Sequence, residues 1–282
     1  MIKYAAKGKT LLAFAVISAV MLLFFLEFRE VKQKFRERNS ELSSSVQKEI
    51  DRTFSEIELM LFDINYIING SAESAQRFSP KITEMLLKKK SERPYIMDIL
   101  VMDGEKEIIQ WTGTGRVPYV KDRDFAAFHT KGESSVLFIG EPKLSRVHTG
   151  KWFFGISYAF LDSAGNIVRI VAGLVDLEHI SSRLNQLKRE RAQTVRAVSA
   201  KGFLVSTASE FNERTGDHFY ESLEEGIEEN VFQIKEIRKS VQGTMFSIVT
   251  EKIPLNFFII RLFVFSLILG ILLYLSVSRE SL

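Results

Sequence analysis

The side chains that could catalyse a reaction or hold a metal are few in this sequence, and they stand far apart. Its four histidines are His129, His148, His179 and His218. Their spacing is not that of metal ligands, since a zinc site needs three or four groups that converge. Asp122 and Asp124 form a close carboxylate pair, but they flank Arg123 at the start of a predicted helix, where N-capping by Asp122 explains the first of them.

Sequence motifs of catalytic sites are absent as well. There is no G-x-S-x-G elbow, no G-x-x-x-x-G-K-[ST] phosphate loop and no H-E-x-x-H helix. The segment Gly113-Thr-Gly115 has no third glycine and no βαβ unit after it, so it is interpreted as a loop. The sequence therefore predicts no catalytic residue, no metal site and no cofactor, and we expect a protein that is not an enzyme.

The overall composition excludes further classes. The 282 residues contain no cysteine, which removes disulfides, thiolate metal sites and thiol nucleophiles. The 38 basic and 35 acidic residues nearly balance, for a formal net charge of +3. A nucleic-acid-binding protein would show a clustered basic excess, so we expect no nucleic-acid partner.

Two apolar runs, Leu11–Leu26 and Phe257–Val277, bracket the chain. A membrane-spanning helix needs roughly 17–25 apolar residues. We therefore expect transmembrane helices over residues 10–28 and 257–277, with cytoplasmic tails at 1–9 and 278–282. The start of the second span stays open around Arg261. Basic residues on both sides of the first span also leave the orientation undecided by charge alone.

Between the spans the pattern predicts an α+β fold. Apolar residues at three-, four- and seven-residue steps predict a long amphipathic helix over residues 29–69, continuous with the first span. A domain over residues 70–190 follows, with a helix at 80–90, a short helix at 122–130, a last helix at 177–191 and five strands. These strands are Tyr95–Met102, Glu107–Trp111, Val136–Ile139, Trp152–Leu161 and Ile167–Val175.

A second, abbreviated domain is predicted over residues 191–254. It consists of a hairpin around Lys201-Gly202, an acidic helix over Glu221–Lys239 and a strand over Thr244–Thr250. Hairpin, helix and returning strand thus occur twice along the chain.

The stretch Asp122–Leu184 carries a resemblance to a known family. It contains Asp122-Arg-Asp-Phe, then Gly140-Glu-Pro, then Thr149-Gly-Lys-Trp152, a turn at Gly165 and a strand that ends in Asp176. Their order and spacing resemble the tandem PAS-like (double Cache) extracytoplasmic sensor domains of bacterial diguanylate cyclases, histidine kinases and chemoreceptors. The resemblance implies two PAS-like antiparallel sheet domains after the long helix, with the membrane spans on either side.

The resemblance also implies a small-molecule pocket in the membrane-distal domain. In amino-acid-binding members, the arginine that matches Arg123 holds the ligand carboxylate and the aspartate that matches Asp176 receives its ammonium group. A guanidinium binds a carboxylate in a bidentate manner, so the chemistry fits. The tryptophan and tyrosine expected after the arginine are Phe125 and Ala126 here, which favours another carboxylate or small anion over an α-amino acid.

Three more side chains complete the predicted ligand site: Trp152, Tyr158 and Arg146. Each of the five has an alternative role, which the sequence leaves open. Trp152 and Tyr158 share one strand face and also suit a core, and Arg146 lies in a predicted loop that could close over a ligand or extend into solvent. Surface pairing of Arg123 with its neighbouring aspartates, and helix capping by Asp176, are the corresponding alternatives.

The resulting hypothesis is a sensor in the bacterial inner membrane whose bulk is periplasmic. The expected partners are a small-molecule ligand, the membrane, a second copy through the helix Arg29–Asn69, and a separate membrane protein that supplies the cytoplasmic output. Two alternatives stay open: the helix packs on its own domain throughout, or the sensor is truncated or split and has no separate output partner. The alternative is a structural or assembly factor that binds a protein partner through its periplasmic domain.

Overall fold

A single continuous helix, α1 (Ile2–Asn69), begins the chain in the computed structural model. The structure describes residues 2–73, 76–130, 136–190, 193–208, 215–218, 223–230, 233–240, 245–253, 263–268 and 270–271. One apolar face of α1 is buried from Leu42 onwards and includes Phe54, Ile57, Leu61 and Ile64, which recur at three-, four- and seven-residue steps. This repeat places them on one side of the helix, as the sequence predicts.

A six-stranded antiparallel sheet follows, built from residues 96–176. Its strands are β1 (Ile96–Met102), β2 (Ile108–Trp111), β3 (Phe138–Ile139), β4 (Lys143–Leu144), β5 (Trp152–Leu161) and β6 (Ile167–Asp176). They are ordered β2-β1-β6-β5-β3, and β4 also pairs with β5. The predicted strands are therefore confirmed, with β3 shorter than expected and β4 in addition.

The two faces of this sheet carry different layers. On β5, Phe154 and Ile156 point towards α1 and join its core, and their neighbours Phe153 and Ala159 join a second core on the opposite face. Alternation along a strand explains the separation, because successive side chains point to opposite faces. The second face holds the short helix α3 (Asp124–Ala127), whose Phe125 is buried against it.

Two further helices have clear sequence signals at their ends. Helix α2 (Pro80–Ser91) begins at Pro80, and the Ser79 side chain accepts a hydrogen bond from the Ile82 amide. Helix α4 (Leu177–Gln186) begins after Asp176, whose side chain accepts from the Glu178 amide. The helix predicted at 122–130 begins instead at Asp124, with Arg123 in the N-cap position, so the predicted capping by Asp122 is wrong.

A five-stranded sheet follows α4. Its strands are β7 (Gln193–Ser199), β8 (Leu204–Ala208), β9 (Gly226–Glu229), β10 (Gln233–Lys239) and β11 (Met245–Lys252), ordered β8-β7-β11-β10-β9. The predicted hairpin and returning strand are confirmed. The predicted acidic helix over Glu221–Lys239 is wrong for the residues described there, because β9 and β10 occupy that stretch.

The error in the acidic segment has a physical cause. Its many glutamates favour a helix when the segment is considered alone. In the structure Ile234 and Ile237 are buried, and Ile237 packs with Ile248 of β11 in the small core of this sheet. Strand pairing and burial outweigh a helix propensity of a few tenths of a kcal/mol per residue.

By its internal contacts the chain divides into two compact units. The larger comprises Leu42–Ile227 and Glu236–Val249, and the smaller comprises Met1–Glu41, Glu228–Lys235 and Thr250–Leu282. The larger has a continuous core of residues from α1, α4, the first sheet and the second sheet.

The smaller unit is held by ion pairs and ring contacts of its own. Lys32 pairs with Glu229 at 2.9 Å, and Arg38 pairs with the fully buried Glu251 at 2.5 Å. Phe24 meets Phe265 edge to face. Most of the predicted span 257–277 lies outside the described residues. Among the helices that the structure describes, none is at once long enough and apolar enough to cross a membrane.

The position of α3 depends on a glycine of β5. A Cβ atom at Gly155 would lie 2.5 Å from Cδ1 of Phe125, well inside contact distance, so we expect G155A to push α3 away from the sheet. The free energy of unfolding should fall by about 1–3 kcal/mol. G173A on β6 is the matched control, because its Cβ would meet Met60 at an ordinary 3.4 Å. Equal denaturation midpoints for the two variants would contradict this account.

Candidate functional site

A cleft lies on the face of the first sheet opposite α1. Its apolar wall includes Leu100, Trp111, Phe153 and Leu174, which come from four different strands. The segment 118–123 and the loop 145–147 form the other walls. The cleft is therefore built by the rigid centre of the sheet on one side and by loops on the other, as is usual for small-molecule sites.

The cleft is narrow in this structure. Its cavity volume is about 30 Å³, which is room for roughly two water molecules. A ligand with more than a few heavy atoms needs the covering loops to move before it can enter.

Arg123 is one of three charged side chains that line the cleft. It follows the turn at Val120 and directly precedes α3, and its guanidinium donates to the Leu144 carbonyl at 3.3 Å and lies over the Phe153 ring. Within the described residues it forms no ion pair. Burial lowers the pKa of Arg123 because desolvation disfavours its charge, and the nearby charge of Arg146 acts in the same direction.

Arg146, the second charged side chain, forms hydrogen bonds with the segment 118–123 on the other side of the cleft. It donates to both carboxylate oxygens of Asp122, at 2.9 and 2.5 Å, and to the Tyr119 carbonyl at 3.0 Å. The hydrogen bonds from Arg146 lower the pKa of Asp122. This bidentate pair holds the loop over the cleft. Asp122 therefore pairs with Arg146 and does not have the helix-capping role that the sequence predicts.

Asp98, the third charged side chain, is a buried carboxylate in the middle of β1 and only 1 % exposed. Its Oδ1 accepts from Lys90 Nζ at 3.0 Å and from Thr112 Oγ1 at 3.1 Å, and its Oδ2 bonds to His148 Nε2 at 2.7 Å. A register shift between Ile96 and Asp98 sets Asp98 opposite Leu174 of β6. Such bulges often direct a side chain into a site.

The sequence pattern does not predict Asp98 and His148 as site residues. Asp98 lies within a predicted apolar strand, and His148 is one of four scattered histidines. The available signal was the aspartate itself, because an acidic residue inside a buried strand is almost always paired. Its partner could not be inferred, since His148 lies 50 residues further along the chain.

The five predicted ligand residues do not come together. Arg123 and Arg146 line the cleft, and the other three do not. Asp176 caps α4 and lies 3.6 Å from Lys151, which matches its alternative role. Their roles in binding stay predictions.

Two of these three predicted residues face α1 rather than the cleft. The Tyr158 ring contacts Phe62 of α1 at 4.6 Å between centroids. Trp152 packs against the same core, and its ring lies so close to Gly216 that a Cβ there would be 2.5 Å from it. Neither aromatic ring forms part of the cleft wall.

A buried hydrogen-bond chain supports α3 and thereby Arg123. Ser157 Oγ of β5 donates to the Phe125 carbonyl at 2.7 Å and bonds to His129 Nε2 at 2.9 Å. Because the hydroxyl proton goes to Phe125, His129 must donate from Nε2. Burial lowers the pKa of His129 to about 4, and the charge of Lys106 contributes.

The described residues offer no metal centre, since no three carboxylate or imidazole groups among them come together. No family model matches the sequence, and no curated protein matches it either. Solved structures do match.

The extracellular domain of rpHK1S-Z16, assigned as a histidine kinase, superposes with a TM-score of 0.66 at 16% identity, over 79% of this chain and 96% of that one. The ligand-binding domain of the Pseudomonas aeruginosa amino acid chemoreceptor PctB, in complex with L-Arg, gives 0.60 at 12% identity, over 78% and 96%. That of the Pseudomonas fluorescens chemoreceptor CtaA, in complex with L-isoleucine, gives 0.59 at 15%, over 79% and 94%.

The chain has the fold of these sensor domains. The long helix and the two antiparallel sheets expected from the sequence resemblance are therefore confirmed, and the flanking membrane spans stay predictions. At identities this low the similarity shows the fold alone, and the ligand depends on the residues of the cleft.

The neutral, buried His129 predicts a loss of stability in acid. Its pKa in the folded protein, about 4, lies below the ordinary 6.5, so the unfolded chain takes up the proton first as the pH falls. Stability should decrease progressively from about pH 6.5 to about pH 4 for this reason. H129Q keeps a donor for Ser157 without a titrating group, so its melting temperature should fall less than that of the wild type over this range. If the melting temperatures of the two proteins fell equally with pH, His129 would not be the group responsible.

Proposed function

We propose that this protein is a membrane-anchored extracytoplasmic sensor that binds a small carboxylate or other small anion in the cleft beside Arg123. The observation that carries the proposal is the charge distribution of that cleft. Of its three charged side chains, Asp98 and Arg146 have ion partners, and Arg123 has none among the described residues. The cleft therefore offers, beside its apolar walls, a guanidinium that forms no ion pair among the described residues, although the charges of Asp122 and Asp124 stabilise it at longer range.

A carboxylate is the ligand group that satisfies this arrangement best. The Arg123 guanidinium makes one long hydrogen bond, of 3.3 Å, and leaves most of its five N–H donors for a ligand. Its charge is partly desolvated, so an anion placed beside it gains more than it would in water. The apolar wall of Trp111, Phe153 and Leu174 suits a hydrocarbon body on the same ligand.

Ligand entry would supply the conformational change that a sensor requires. The cleft holds about two waters, so binding needs the lining segment 145–147 to move away from the sheet. The pair of Arg146 with Asp122 holds this segment over the cleft, and the pair of His148 with Asp98 fixes the end of the segment. A ligand that binds the open form better than the closed form shifts the population between them.

The core of the larger unit offers a path for this change. Phe154 of β5 packs edge to face on Phe54 of α1, and both belong to one core with Ile180 of α4 and Met245 of β11. A shift of β5 therefore reaches the long helix and the last strand through packed side chains. Cores of this kind resist small deformations and respond as connected bodies.

Anchoring, assembly and output complete the proposal. The apolar runs 10–28 and 257–277 would anchor the chain in a bacterial inner membrane with its bulk in the periplasm. A second copy would pair along Arg29–Asn69, where the exposed Leu59 and Tyr66 leave apolar surface on α1. A separate membrane protein would carry the signal into the cytoplasm.

The proposal predicts that Arg123 is required for binding. The purified full-length chain is screened by thermal shift against carboxylates, amines and polyols, and we expect carboxylates to raise the melting temperature. R123Q should weaken that binding by about tenfold to a hundredfold, because a hydrogen-bonded charge is lost. R116Q is the matched control, since Arg116 is exposed and lies outside the cleft.

Two outcomes would count against the sensor. One is a chain that no compound in the screen stabilises and that still binds a protein partner, which would favour the structural or assembly factor. The other is an R123Q variant that binds the same carboxylate as tightly as R116Q does.

The proposed periplasmic location of the bulk of the chain predicts the activity of a reporter fusion. Alkaline phosphatase fused after Gln193 should be active, because the fusion point would lie in the periplasm, where the disulfides of the reporter form. The measurement is enzyme activity normalised to the amount of fusion protein. A well-expressed but inactive fusion would place the body of the chain in the cytoplasm.

A further inference from the structure

We infer that the cleft selects acids that carry no ammonium group, and that His148 is the residue that sets this selectivity. The inference rests on the proposed function, because it concerns the ligand of the same cleft. It starts from Asp98, the one carboxylate that lines the cleft in the described part of the chain.

Both carboxylate oxygens of Asp98 already have hydrogen-bond partners. Lys90 and Thr112 hold Oδ1, and Thr112 itself is oriented because its Oγ1 accepts from the Ile99 amide at 2.9 Å. His148 holds Oδ2 at 2.7 Å from the cleft loop. An ammonium group in the cleft would thus meet a carboxylate whose charge is already balanced by Lys90 and whose second oxygen is covered by an imidazole.

Among the described residues, the other carboxylates near the cleft already have partners, and Asp124 accepts from the Phe125 and Glu141 amides. Asp122 is bound at both oxygens by Arg146. Leu174 stands directly across the strand pair from Asp98 and presents an apolar side chain to the cleft. Asp176, two residues further on, caps α4 outside the cleft. A buried ammonium without a partner is costly, so a zwitterion is rejected and the matching acid is accepted.

His148 is the removable element of this arrangement. It lies on the loop whose Ser145 and Arg146 line the cleft, and its amide donates to Ser145 Oγ at 2.9 Å. Its side chain is 34% exposed, and that of Asp98 is 2% exposed. Truncation of His148 would uncover Oδ2 and leave the sheet and the Lys90 pair in place.

The test uses matched pairs of acids that differ only in the amino group. The probes are isocaproate against leucine and hydrocinnamate against phenylalanine, measured by thermal shift and calorimetry on the full-length chain. The wild type should bind the acids at least about tenfold more tightly than the amino acids, because the latter leave a buried charge unpaired. H148A should narrow this ratio by about tenfold, and H179A, a histidine outside the cleft, should keep it.

A second variant separates selectivity from folding. In H148A/D98N the side chain at position 98 is uncovered but is a neutral amide. It can no longer balance the charge of an ammonium group, so the discrimination against amino acids should return. Wild-type binding that favours the amino acid, or an unchanged ratio in a folded H148A protein, overturns the inference and leaves the proposed sensor standing. A wild-type chain that binds none of the probes or of the screened compounds overturns both.

Discussion

A carboxylate buried in the centre of a sheet must be balanced, and this requirement at Asp98 organises the part of the molecule around the first sheet. An isolated buried charge would cost many kcal/mol, so the fold brings partners to it. Lys90 comes from the end of α2, Thr112 follows β2, and His148 comes from the loop over the cleft. Three segments that are distant in sequence are thereby positioned on one carboxylate, and the cleft forms between them.

The parts of the fold that followed from local pattern were predictable. Strands β5 and β6 alternate and are bounded by turn-forming residues, and the stripe of α1 repeats at helical spacing, so each could be placed within a residue or two. The acidic segment containing β9 and β10 could not, because its pairing with β11 depends on contacts that are distant in sequence. Local propensity favoured a helix there and tertiary burial decided otherwise.

The candidate site was predictable in part for the same reason. Arg123 and Arg146 lie in a segment with a recognisable order of residues, and both reach the cleft. The aromatic pair Trp152 and Tyr158 was correctly placed on one face of β5, but the sequence could not say which face meets α1. The bulge that sets Asp98 against Leu174 has no sequence signature, so the central polar group of the cleft appears only in three dimensions.

Trp152 is not part of the cleft wall, but its position brings it into contact with the second sheet. It is the first residue of β5, directly after the loop that covers the cleft, and its ring rests on the bare backbone of Gly216. Gly216 donates through its amide to Leu204 of β8, a strand of the second sheet. The indole therefore connects the end of this loop to the second sheet by direct packing, and this close contact requires a residue without a side chain at position 216.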